Sequence, residues 1–216
     1  MQQIKHEKYY QLGLKKLAET ESDVKSLIEM AIQAGEAGKR EDALMWWQRV
    51  IEIDPNESTA YYNIGSIYLY LKRYAEAIEV CKKSLALNPH RKEAVTNLAF
   101  GEIIGGNLSN AMRSLEELIN KKVEYPVAIG LLAISYCIGG RVEAGLKLCA
   151  RLRKKNFRLT SFMQDTSQKL VEAGRSADAM KLLKALIEGG FADYELASYY
   201  AECEKKDLPD MVTSTR

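Results

Sequence analysis

Small residues return at a fixed interval along this 216-residue chain. Ala31 with Ala43, Gly65 with Ala77, Ala99 with Ala111, Ala133 with Gly145, and Ser167 with Ala179 form five pairs, each 34 residues after the last. A period of this length marks stacked supersecondary units, none of which can bury its apolar face alone. Gly65 sits within NIGSIYLYLKRYAEA, among apolar residues at helical spacing, where a glycine costs about 1 kcal/mol relative to alanine. The penalty is offset if two helices must approach closely at that point. Small residues at position 8 of a first helix and position 20 of a second allow that approach.

Other columns share the interval. Gly38, Gly106, Gly140 and Gly174 recur in register, with Lys72 in the remaining place. Each falls where a first helix should stop, and glycine accepts the left-handed conformation that closes a helix C-terminus. Pro55 and Pro89 follow the apolar runs VIEI and LALN, where proline ends one unit and opens the next. Leu27, Met30 and Ala34, then Leu44, Trp47 and Ile51, follow helical spacing. The spacing therefore predicts units of two helices joined by a tight turn. Tyr61, Ile64 and Tyr68 face Ile78, Cys81 and Leu85 around the small pair of the second unit.

Tyr61, Gly65, Tyr68, Ala77 and Pro89 together resemble the tetratricopeptide repeat, and Trp47 takes its usual aromatic place in the first unit. Later units depart from the pattern: Glu102 replaces a tyrosine, Gly145 an alanine, and Val123, Phe157 and Phe191 stand where proline is usual. The resemblance implies an all-α, right-handed superhelical solenoid of antiparallel helix pairs. Its repeats are expected at 24–57, 58–91, 92–125, 126–159 and 160–193. Residues 1–22 are expected to form an amphipathic helix with Tyr10, Leu14 and Leu17 on one face. That helix either caps the first repeat or docks into a groove of its own molecule or a neighbour. A capping helix over 194–206, with Leu196, Tyr199, Tyr200 and Cys203 for packing, and a flexible tail at 207–216 complete the expected layout.

Composition excludes several functions. A net charge of +2 demands neither nucleic acid nor an acidic membrane. The N-terminus lacks the uninterrupted apolar stretch of a secretory signal, and no run approaches the roughly 18 apolar residues of a membrane span, so a soluble cytoplasmic protein is expected. Cys81, Cys137, Cys149 and Cys203 have no CxxC spacing, and His6 and His90 are far apart in sequence; free thiols, no metal and no cofactor are expected. Phosphate-loop, GxGxxG, HExxH and GxSxG motifs are all missing. Glu116 and Glu117 read as solvated charges, and no catalysis is expected. The basic run Arg151, Arg153, Lys154, Lys155 and Arg158 complements a helix C-terminus.

The family's geometry implies that first helices line a concave groove. Its inward positions are Ile28 and Ile32 in the first unit, and Tyr62, Ser66, Leu69 and Tyr70 in the second. The third supplies Thr96, Phe100, Ile103 and Ile104, the fourth Ile134, Cys137 and Ile138, and the fifth the polar Gln164, Gln168 and Glu172. Asn63 and Asn97, at position 6 of successive units, could hold the backbone of an extended peptide. The carboxylate clamp of chaperone-binding relatives is not expected: Asn63 matches one place, but Ile28, Ile32, Glu93 and Asn97 occupy the others. The expected partner is a peptide or amphipathic helix of another protein, in an adaptor or co-chaperone role. The alternative is a homo-oligomeric scaffold in which one copy's N-terminal helix enters the next copy's groove, a layout similar to magnetosome-associated repeat proteins.

Overall fold

The computed structural model describes residue 7 and residues 10–13, 23–120, 124–155 and 157–212. Its elements are all helices: α1 (Val24–Glu36), α2 (Arg40–Ile53), α3 (Ser58–Tyr70), α4 (Tyr74–Leu87), α5 (Lys92–Ile104), α6 (Leu108–Asn120), α7 (Pro126–Ile138), α8 (Val142–Arg153), α9 (Leu159–Glu172), α10 (Ser176–Glu188) and α11 (Tyr194–Val212). Three-residue turns reverse the chain within units, so α1 packs on α2, α3 on α4, α7 on α8, and α9 on α10.

The turns repeat in backbone detail. Gly38, Lys72, Gly106, Gly140 and Gly174 all have positive φ, at 80°, 59°, 88°, 82° and 76°. The next residue's N–H reaches back five residues each time: Lys39 to Ala34 O (2.9 Å), and Arg73 to Tyr68, Asn107 to Glu102, Arg141 to Tyr136 and Arg175 to Leu170 (2.8 Å each). This bond satisfies a carbonyl that the helix end would otherwise orphan. Lys72 adopts the glycine conformation of its column despite its Cβ.

All ten members of the small-residue column are buried. A Cβ on Gly65 would lie 2.5 Å from Cys81 Sγ, and one on Gly145 would lie 2.6 Å from Cys137 Sγ and 2.9 Å from Ala133 O. Ser167 satisfies its buried hydroxyl by donating to Met163 O at 2.9 Å.

The chain forms two compact units, Met1–Gly101 and Glu102–Arg216. In the first, Leu27, Met30, Trp47, Val50, Ile64 and Tyr68 build the core. The described part of the N-terminal segment joins it. Tyr10 is buried; its hydroxyl donates to Asp42 Oδ2 at 3.0 Å and accepts from Trp46 Nε1 at 3.2 Å. Lys39 Nζ lies 4.8 Å from the Tyr10 ring centroid and 2.8 Å from Glu7 Oε1. This segment therefore covers α1 and α2 of its own chain. Leu14 and Leu17 lie outside the described residues, as does Val123.

In the second unit α7 is apolar on all sides, and every residue from Ala128 to Ile138 is buried. A helix without a polar face needs neighbours all round. α6, α8, α9 and α10 supply them. α11 packs on α10 and α9, with Leu196 fully buried and its N–H on Asp193 Oδ1 at 2.9 Å. That helix runs to Val212, beyond the stop expected at Lys206. Once nucleated, a helix adds one hydrogen bond per residue and can outrun its last apolar partner.

Candidate functional site

In the first unit the expected groove positions share one face of each first helix, because residues four apart stack on an α-helix. Ile32 and Tyr70 are 46% and 59% exposed, unusually open for such large apolar side chains. Ile28, Tyr62 and Phe100 are half-buried, and Ser66 is exposed. Arginines stack on two of the rings: Arg40 lies 3.6 Å above Tyr70 and Arg91 lies 4.7 Å from Tyr62. Beside Tyr70 a cavity of about 460 Å³ opens along residues 38–42. The surface is apolar and aromatic, with guanidinium groups at its margin.

Two expected members of this face are turned inward. Leu69 is buried and lies close to Gly101, and Thr96 is buried with its hydroxyl on Lys92 O (3.1 Å) and Glu93 O (3.0 Å). The asparagine ladder is also corrected. Asn63 Nδ2 donates to Thr59 O of its own helix at 2.9 Å, and Asn97 Nδ2 donates to Ser66 Oγ at 2.6 Å and Tyr62 O at 3.4 Å. Asn97 thus ties α5 to α3, while the Asn63 amide N–H is spent on a carbonyl of its own helix.

The second unit departs further. Ile103, Ile104, Ile134 and Ile138 are all core residues, Ile103 and Ile134 with no exposure at all. They cannot meet a ligand in this arrangement. The fifth helix pair lies over the face that α7 was expected to present: a Cβ on Gly130 would sit 2.7 Å from the Phe162 ring, and α10 packs against α7. The inward assignment presumed that each pair succeeds the last regularly, and the fifth does not.

A periodic cation went unnoticed in the sequence. The last residue of four of these turns is Lys39, Arg73, Arg141 or Arg175, with Asn107 in the remaining place. Arg73 stacks on Tyr68 at 4.3 Å and Arg141 on Tyr136 at 4.0 Å, while Lys39 takes Tyr10. At Arg73 and Arg141 the tyrosine five residues earlier, Tyr68 and Tyr136, was the available signal.

Three of the cysteines are buried, and three members of the basic run are paired. Burial pushes the Cys81 and Cys149 thiols up to about 12 and Cys137 to about 11, which leaves them protonated and inert at neutral pH. In the basic run, Arg151 and Lys155 pair with Glu124, and Arg153 donates to Gly190 O at 2.9 Å. Among the described residues no cluster of three His, Cys, Asp or Glu could hold a metal ion, and no helix is long and apolar enough to cross a membrane.

Comparison with known proteins agrees with this architecture. The tetratricopeptide repeat family model matches residues 58–91. Protein O-mannosyl-transferase Tmtc3 of Drosophila melanogaster is 34% identical over 84 residues, covering 39% of this chain and 9% of that protein. The chain thus matches less than a tenth of that relative's length. Among solved structures, a tetratricopeptide repeat protein from Parabacteroides merdae ATCC 43184 superposes with a TM-score of 0.64 at 17% identity, over 94% of this chain and 79% of that one. YrrB, a TPR protein with an unusual peptide-binding site, gives 0.62 at 18% identity, over 88% of this chain and 97% of that one. The chain carries a tetratricopeptide repeat at residues 58–91 and has the all-helical fold of tetratricopeptide repeat proteins.

Proposed function

We propose that the chain is a non-catalytic interaction module that holds a peptide or amphipathic helix of a partner protein on the first-helix face of its first unit, in an adaptor or co-chaperone role. The supporting observation is the exposure of Ile32 and Tyr70 beside half-buried Ile28, Tyr62 and Phe100. Large apolar side chains grouped on one face mark interaction surfaces, and stacked repeats commonly bind along such faces. YrrB, of like fold, has a peptide-binding site. The rings supply apolar anchoring, and Arg40 and Arg91 at the margin favour a ligand with acidic flanks.

The test is selection of peptides from a displayed library on the full chain, followed by titration against Ile32→Glu/Tyr70→Glu. Replacing two exposed anchors should weaken the selected peptides about a hundredfold, with helical content unchanged. Equal affinity for the double variant would refute this surface.

A further inference from the structure

The first unit holds four arginines, and they divide by position. Arg49 and Arg73 pair with Glu52 and Glu76, each three residues further along the chain. Arg40 and Arg91 stack instead on Tyr70 and Tyr62 of the first-helix face, and neither meets a carboxylate among the described residues. Both also stand where positive charge is least favoured. Arg40 is the first residue of α2, while Arg91 directly precedes α5 and donates to the Thr59 hydroxyl, in the first turn of α3, at 3.1 Å. A helix N-terminus carries partial positive charge and favours an anion. Carboxylates close by in sequence have other work: Asp42 accepts from the Tyr10 hydroxyl, and Glu57 accepts from the Thr59 N–H. The Arg91 Nε is buried with no acceptor among the described residues. A half-buried guanidinium in this position gains from a carboxylate, because the bond is charge-assisted and partly shielded from water.

Tyr62 and Tyr70 are eight residues apart on α3, with Ser66 midway between them. At 1.5 Å per residue that is about 12 Å along the helix. Ser66 is small and exposed, which leaves room between the two rings. In an extended chain alternate side chains face the same way, and residues four apart are separated by about 13 Å. The first, third and fifth residues of an extended ligand therefore match the spacing of Tyr62, Ser66 and Tyr70. A helical ligand would need residues eight apart to cover the same span.

We propose that this face binds an extended acidic segment of its partner: two carboxylates four residues apart pair with Arg40 and Arg91, and an apolar residue midway lies over Ser66 between the rings. The pairing rests on the first-unit face being the ligand surface, and adds the spacing of the charges that the face selects.

The test screens the full chain against two displayed peptide libraries, one fixed as Glu-x-Leu-x-Glu and the other as Gln-x-Leu-x-Gln. The best segments are then titrated as peptides capped at both ends, which removes terminal charges. The Glu library should yield binders that weaken about tenfold when either Glu becomes Gln, and that weaken with added salt. In Arg91→Gln one of those two peptide changes should have no further effect, and in Arg40→Gln the other, which assigns each carboxylate to its arginine. The peptide changes measured on the unaltered chain decide the matter if a variant fails to fold. Equal affinities from the two libraries would overturn the pairing, as would Glu residues indifferent to both arginines. If such binders still lost affinity in Ile32→Glu/Tyr70→Glu, the face would stand as the ligand surface and the charge pairing alone would fall. Failure of the Glu library to yield binders would have the same meaning if an unrestricted library gave peptides that depend on Ile32 and Tyr70. Enrichment in that library of acids eight apart, in place of four, would mean a helical ligand and overturn the extended one.

Discussion

Lys72 is the residue that the repeat treats least kindly. Its column otherwise holds glycines, and its φ of 59° puts an L-residue in the left-handed region. That conformation costs roughly 1–2 kcal/mol in a residue with a Cβ. Glycine there removes the cost but adds about 0.4–1 kcal/mol of unfolded-chain entropy. Lys72→Gly should therefore stabilise the chain by about 0.5–1 kcal/mol, read as a higher urea midpoint with an unchanged slope. A neutral or lower midpoint would show that the lysine side chain compensates its backbone. The conformation was legible at four of the five turns from glycine alone. At the fifth it followed only from the register.

Helix pairing was equally legible, because small residues at a fixed interval leave little choice about where two helices meet. The cysteines show what that closeness entails. Cys81 faces Gly65 between α3 and α4, and Cys137 faces Gly145 between α7 and α8. Burial raises their thiols from 9.0 to about 12 and about 11, and that of Cys149 to about 12. Below pH 9 all three are protonated in folded and unfolded chains alike, so their contribution is intact. Above it the unfolded chain releases protons that the folded chain retains, and stability falls as pH rises toward 11 or 12. Unfolding titrations should show that decline, and Cys149→Ala should lessen it. An identical alkaline limb in the variant would argue against a protonated buried thiol. What escaped the sequence at this scale was the fifth pair: inward positions on α7 were assigned by analogy with regular stacking. The signal against it was present, since PVAIGLLAISYCI has no polar face to turn toward a groove.

At the scale of the whole molecule the open choice was whether the N-terminal segment covers its own array or another's. Tyr10 answers for the described part, with Asp42, Trp46 and Lys39 of the same chain around it. No spacing rule connects residue 10 to residues 42 and 46, so the sequence offered both readings. A repeat array needs its terminal faces covered to stay soluble. Removing residues 1–22 would uncover Met30 and Trp46 on the first pair. Sedimentation across a range of concentration should therefore find the full chain at 24.3 kDa throughout, while a chain starting at Asp23 gains mass as concentration rises. The reverse pattern, a growing full chain and a monomeric shortened one, would mean that the same tyrosine contacts form between copies. The segment would then link them head to tail, in a series that closes only if the rotation between neighbours allows it.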